Sequence, residues 1–272
     1  MLRSLYSGVS GMRGFQTKLD VIGNNIANVN TVGFKGSRVM FKDILSQTVA
    51  GVTAPVDGGL GGVNAKQIGL GVTVAAIDTI HAPGSAMTTN QVTDLRIDGD
   101  GFFAVTPDDG TTRFLTRAGN FTIDAARNLV NPDGMHVLST DGTPIVLDDT
   151  IVAFSISQNG EIIGINEDGT AETTDIFVGV VKMTNPAGLE KVGSNLYRTT
   201  PNATTEPDFE LLQANDQATG TGAIISGQLE MSNVELTNEL TEMIVAQRGF
   251  QANSRIITTS DEVLQEILNL KR

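Results

Sequence analysis

The sequence predicts an α+β fold: long N- and C-terminal helices forming a coiled-coil assembly domain, a mainly β central domain, and an extended Gly-rich connector between the first helix and the strands. Three observations carry this. Apolar residues recur at helical spacing at both ends, short strand-like segments fill the middle, and turn dipeptides punctuate that middle at close intervals. The divisions expected are 1–32 and 230–272 for the helical domain, 33–74 for the connector and 75–229 for the β domain.

At the N-terminal end Leu2, Leu5, Val9, Met12, Phe15, Leu19, Ile22, Ile26 and Val29 recur at steps of three and four, which lines one helical face. At the other end Leu236, Leu240, Met243, Phe250, Ile257, Leu264 and Leu268 follow an alternating four-three seam that includes Gln247, Ser254 and Asp261. This second helix is expected from about Asn233 to Leu270. The first helix contains Gly8, Gly11, Gly14 and Gly23, each costing about 1 kcal/mol relative to Ala in a helix interior. It therefore needs packing partners, and glycines at intervals of three let another backbone come close. Burial against each other and against other copies is the expected use of both seams; packing on the β domain is the alternative. The expected assembly residues are Leu5, Val9, Met12, Leu19, Ile22, Ile26, Leu236, Leu240, Met243, Phe250, Ile257, Leu264 and Leu268.

Asn24, Asn25, Asn28 and Asn30 interrupt the end of the first helix. Asn bonds to nearby backbone and tolerates left-handed geometry, so the cluster is expected to end the helix, with Gly33 permitting a change of direction. Residues 49–71 are Gly-rich with few bulky side chains and are expected to be extended and irregular. Strand signals follow, such as Asp94-Leu-Arg-Ile97, Gly101-Phe-Phe-Ala-Val105 and Asn120-Phe-Thr-Ile-Asp124. Turns are expected at Asp100-Gly101, Asp109-Gly110, Asp133-Gly134, Asp141-Gly142, Asn159-Gly160 and Asp168-Gly169.

Composition narrows the function. With 18 Lys+Arg against 31 Asp+Glu the formal charge is -13, which disfavours nucleic acid and anionic membrane surfaces. Without cysteine there is no disulfide, thiolate nucleophile or Cys-based zinc site. No signal-peptide-like apolar stretch occurs in the first thirty residues, and no run of about 20 apolar residues is available to cross a bilayer. The residues through Lys42 carry a net +5, whereas 229–272 carry -3. Glu230, Glu235, Glu239, Glu242, Asp261, Glu262 and Glu266 are thus placed either to steer that end towards a basic N-terminal helix or to form a solvated face.

Catalytic, metal and cofactor sites are not expected. Asp98-Gly-Asp-Gly101 lacks the further ligands of a calcium loop, and Gly58 to Gly62 lacks the Lys-Ser/Thr that a phosphate loop requires. His81 and His136 sit in strand or turn contexts and are expected to pack. A secreted β-rich binding module or hydrolase with helical appendages is the alternative of a different class.

Two stretches carry a family resemblance. Ile26-Ala-Asn-Val-Asn-Thr-Val-Gly-Phe-Lys35 resembles the signature of bacterial flagellar rod and hook proteins, and Met243-Ile-Val-Ala-Gln-Arg-Gly-Phe-Gln-Ala-Asn253 resembles their C-terminal signature. On this resemblance Asn28, Asn30, Thr31, Gly33, Phe34, Gln247 and Asn253 are family motif positions. Ile97 to Phe103, Thr116 to Phe121, Gly193 to Tyr197 and Leu229 to Val234 agree too. The resemblance implies a subunit of the axial structure outside the cell, with terminal helices lining an inner tube and β domains outside. It also implies passage through the flagellar type III export apparatus without a cleaved signal. Implied partners are further copies of the chain, adjacent rod and hook-filament junction proteins and a hook cap. Lys35 to Ile44 and the tail look closer to hook proteins, implying a flexible hook that transmits torque while bending; the compact length also suits the distal rod.

Overall fold

Helical periodicity at the two ends becomes two helices in the computed structural model, which describes residues 2–55, 61–108, 112–166, 169–204 and 209–270. Helix α1 spans Leu2–Ala27 and α2 spans Leu236–Leu270. Between them lie β1 (Ser37–Asp43), β2 (Ser46–Ala50), β3 (Lys66–Gly69), β4 (Val72–Thr79), β5 (Ala86–Thr88), β6 (Leu95–Asp98), β7 (Phe102–Thr106), β8 (Phe114–Thr116), β9 (Thr122–Ile123) and β10 (Leu129–Val130). They continue with β11 (His136–Val137), β12 (Ile151–Ile156), β13 (Glu161–Asn166), β14 (Ala171–Phe177), β15 (Val180–Val181), β16 (Glu190–Gly193), β17 (Leu196–Arg198), β18 (Ala223–Ser226) and β19 (Gln228–Glu230). The chain forms two units: Met1–Ala27, Ser37–Thr79 and Glu235–Arg272 in one, Asn28–Gly36 and Ile80–Val234 in the other.

In the helical unit α1 and α2 run antiparallel, because Gly8 of α1 meets Ile257 whereas Asn25, near its other end, meets Glu239. Small residues set the contact. A Cβ on Gly11 would lie 2.8 Å from the Asn253 amide, and one on Gly249 would lie 2.6 Å from the Phe15 ring. Gly14 accommodates Phe41 of β1 at 2.9 Å instead of a second helix, and the Phe15 and Phe41 rings lie 5.9 Å apart. Three of the four glycines that weaken α1 as an isolated helix, Gly8, Gly11 and Gly14, are thus the positions through which its neighbours approach.

The expectation of an irregular connector is corrected here. β1 pairs antiparallel with β4, from Ser37↔Thr79 to Asp43↔Val72, and β2 pairs with β3, from Ser46↔Gly69 to Ala50↔Lys66. Bonds from Ile44 N to Gly71 O and from Leu70 N to Leu45 O join the two pairs into one ribbon, and Thr53 bridges Val63 beyond it. The ribbon's partners are between 16 (Ala50↔Lys66) and 42 (Ser37↔Thr79) residues apart in sequence, so local composition carries little sign of them. Residues 56–60 of the Gly-rich stretch, including Gly58 and Gly59, lie outside the described residues.

The β unit is built around β7. The largest sheet runs β16-β17-β8-β7-β11-β10-β9, with β15 also paired to β7; β12-β13-β14 form a meander, and β18-β6 and β19-β5 form pairs. Phe103 and Val105 enter a core with Leu95, Ile97, Phe121, Ile162 and Ile224, while Phe102 and Ala104 enter a second with Leu115, Val181 and Tyr197. Gly101 to Val105 is accordingly not an alternating strand with one wet face. It is a continuous apolar run covered on both faces. The turns at Gly134, Gly142, Gly160 and Gly169 close alike, each glycine amide donating to the carbonyl three residues earlier. Asp109-Gly110 falls outside the described residues.

Candidate assembly interface and its buried support

α1 ends at Ala27, and the next residues make a turn in the β unit: Thr31 N donates to Asn28 O at 3.1 Å and Thr31 Oγ1 to Asn28 Oδ1 at 3.1 Å. Gly33 follows at φ +70°, with its amide donating to Glu230 O at 2.8 Å. That places Phe34 and Lys35 in the interior. Phe34 is buried, with Lys191 Nζ 5.0 Å from its ring centre, whereas Asn30 is exposed.

Lys35, Arg117 and Glu230 form a buried ionic cluster, 0%, 4% and 1% exposed. Lys35 Nζ donates to Glu230 Oε1 at 2.5 Å and to Ala82 O at 2.8 Å, and Gly84 N donates to the same Oε1 at 2.9 Å. Arg117 donates to Glu230 Oε2 at 3.3 Å, to Ile97 O at 3.3 Å and to Gly99 O at 2.7 Å. Burial pulls both cations below their usual range, with the Glu230 carboxylate opposing it. Glu230 therefore belongs neither to a solvated face nor to a steering patch. Its place in the sequence beside exposed acids concealed this, and the Lys35 and Arg117 partners, 195 and 113 residues away, gave no local signal.

His81 stands beside this cluster, its ring centre 5.7 Å from that of Phe102 and 5.6 Å from that of Tyr197, which bears out its expected packing role. Burial, reinforced by Lys35, Lys191 and Arg117, lowers its pKa from 6.5 to about 4. The folded unit therefore holds His81 neutral, while the unfolded chain protonates it near 6.5. Stability from this residue is full above pH 6.5 and lost as pH falls towards 4, by at most roughly 3 kcal/mol. Thermal unfolding across that range is expected to show a shallower acid loss in His81→Gln than in the parent, and equal slopes would refute it.

Asn25 is the amide that matters in α1. It is 2% exposed; its Oδ1 accepts from Ser37 N at 3.0 Å, and its Nδ2 donates to Ser37 O at 2.8 Å and Glu239 Oε1 at 3.1 Å. One side chain thus ties α1 to β1 and α2, and the expectation that the Asn cluster merely ends the helix is incomplete at this position. Asn25→Ala leaves both Ser37 backbone groups without that partner and is expected to cost about 1–3 kcal/mol, read as a lower urea midpoint for loss of helicity. Lys18 pairs with Glu242 in the same unit, so Glu239 and Glu242 do meet a basic helix of their own chain. Glu235, Asp261, Glu262 and Glu266 remain exposed.

The expected seam divides unevenly. Ile22 is buried, Ile257 lies against Gly8, and Leu5, Met12, Leu19, Ile26, Met243 and Leu264 are half-buried. Val9, Leu236, Leu240, Phe250 and Leu268 stay exposed. The face of α2 turned to α1 carries Gly249 and Asn253 beside Ile257, with Ala246 buried and Gln247 exposed. Asn253 was expected from the family motif, whereas Ala246 and Gly249 carry too little apolar bulk for periodicity to register. Exposed Ile244, Val245, Ile256, Val263 and Ile267 add a second apolar flank to α2.

Buried ions held by main-chain carbonyls, two helices packed through small residues, and apolar helix faces left open define a structural subunit. Three family models match in chain order: "Flagella basal body rod protein" over residues 5–35, "Flagellar hook protein FlgE/F/G D1 domain" over 96–164, and "Flagellar basal body rod FlgEFG protein C-terminal" over 225–270. The chain belongs to the flagellar rod and hook protein family. It is 55% identical over 272 residues to the flagellar basal-body rod protein FlgG of Bacillus subtilis, covering all of both chains. It is 36% identical over 274 residues to FlgG of Borreliella burgdorferi, again covering both fully. Against the flagellar hook protein FlgE of Treponema pallidum it is 53% identical over 138 residues, which is 50% of this chain and 29% of that one. These relatives are structural proteins of the flagellum, and so is this chain.

Proposed function

We propose that the chain is the distal rod subunit of the basal body, assembling with its own copies into a helical tube. The carrying observation is the identity of 55% and 36% to basal-body rod proteins along the whole of both chains, whereas a hook protein matched just as completely, FlgE of Borreliella burgdorferi, is 29% identical. The hook reading rests on Lys35 to Ile44 and on the tail; the first of these segments contributes β1 to the ribbon packed on α1. In the rod reading the terminal helices coil together as the inner tube, with the thirteen seam positions shared between contacts inside the chain, as at Ile22 and Ile257, and contacts between copies at the exposed Val9, Leu236, Leu240, Phe250 and Leu268. The β unit lies outside, and adjacent rod and hook proteins continue the axis. Export of the unfolded chain through the flagellar type III apparatus suits helices that gain their stability on packing.

Electron microscopy of polymers grown from purified full-length protein tests the assignment. Straight, rigid tubes are expected, and long curved flexible ones would return the reading to the hook. Leu240→Asp puts a charge on the open seam and is expected to abolish tube growth while the β unit stays folded. Normal tubes from this variant would remove the seam from the interface.

A further inference from the structure

The helical unit contains a groove of about 470 Å³ between α1 and the ribbon, walled by Tyr6, Val9, Ile44, Leu70 and Val72. Arg13 is its only charged lining side chain among the described residues. Tyr6 is 74% exposed, and Val9 and Ile44 are exposed with it, so the chain offers an apolar cleft with a cation at its wall. The last turns of α2 have the complementary character. Val263, Ile267 and Leu270 recur at steps of four and three, all exposed, and Glu262 and Glu266 flank them one position earlier.

We propose that the Val263–Leu270 segment of one copy seats in the α1-ribbon groove of a second copy, with Glu262 and Glu266 facing Arg13. This rests on the polymer reading and names the contact within it. The segment cannot reach its own groove. It continues α2 beyond the contact of Ile257 with Gly8, and Ile267 lies ten residues, about 15 Å, farther along that helix, away from the groove's α1 wall, which runs from Tyr6 to Thr17. The two surfaces are different patches of the chain, so the contact is head to tail. Such contacts do not close on themselves at a dimer and instead generate rings or open helical filaments. The occupant is helical and rigid, so little conformational freedom is lost on docking.

Because the chain lacks cysteine, crosslinking can be made site-specific. Full-length Leu70→Cys and Ile267→Cys proteins are mixed under polymerising conditions and mildly oxidised. A disulfide between the two variants is expected, and none between Ile267→Cys and Val152→Cys, an exposed control in the β unit. Tubes that form with no Leu70→Cys to Ile267→Cys disulfide above that control overturn the proposed contact and leave the polymer reading standing. Failure of the parent protein to form tubes overturns both. In parallel, Arg13→Glu and the double variant Glu262→Lys/Glu266→Lys are each expected to slow elongation by roughly tenfold, and a chain carrying all three changes is expected to recover. Unchanged growth in both reversals, or no recovery in the triple variant, also overturns it.

Discussion

Glu230→Ala is expected to lower the stability of the β unit by about 3–5 kcal/mol, because it strands a lysine and an arginine that are 0% and 4% exposed. The cost is large because the cations were brought out of water only against that carboxylate. Gly84 N also loses its acceptor. Urea denaturation followed by far-UV circular dichroism reads the loss. Replacing the whole cluster, as Lys35→Met, Arg117→Met and Glu230→Leu together, is expected to recover much of it, since buried ion groups contribute little beyond their apolar equivalents. A single-variant loss below about 1 kcal/mol would show that the cluster is not closed to water.

Gly33→Ala comes next in size, at about 2–4 kcal/mol, since it combines two costs. The backbone is at φ +70°, where an L side chain is strained, and the added Cβ would sit 2.5 Å from Ala118 N and 2.7 Å from Arg117 C. Backbone atoms on that wall cannot rotate aside. The substitution also displaces the amide that donates to Glu230 O and, through the next two residues, Phe34 and Lys35. Gly23→Ala is the contrast. Nothing lies within 4 Å of a Cβ there and the site is helical, about one turn before the end of α1, so a gain of about 0.5–1 kcal/mol in the helical unit is expected. Equal effects of the two changes would mean that the turn at Gly33 relaxes freely.

Gly33 lies in the motif that carried the family resemblance, and the structure supplies that motif's physical content. Asn28 and Thr31 bond each other in the turn, Gly33 permits a close crossing, Phe34 fills space, and Lys35 reaches the buried glutamate. The sequence places these residues side by side but does not say that Lys35 is an interior ion. That depends on Glu230, Arg117 and the carbonyl of Ala82, none of them near it in the chain.

The helices were legible because their signal is local: an apolar step of three and four needs only one helix to be read. The α1 face was legible too, since Gly8 and Gly11 meet α2 as their spacing implied; the face that α2 turns to α1 was not. The expected stripe of α2 stays exposed through Leu236, Leu240 and Phe250, while Gly249, Asn253 and Ile257 meet α1. Close packing selected small side chains where backbones approach, and hydropathy scores those positions as weak. The ribbon was missed for a related reason, as its strands find their pairing 16 to 42 residues away and Phe41 finds its site on Gly14.

Sequence by itself determined what neighbouring residues enforce: helical ends, a β middle, the positions of the glycine-closed turns and a motif specific enough to name a family. Tertiary structure alone decided which charges are interior, which helix face is already occupied and which remains open to another copy. Those outcomes follow from distances between residues far apart in the chain, because desolvation and steric fit act on neighbours in space, whatever their order in sequence.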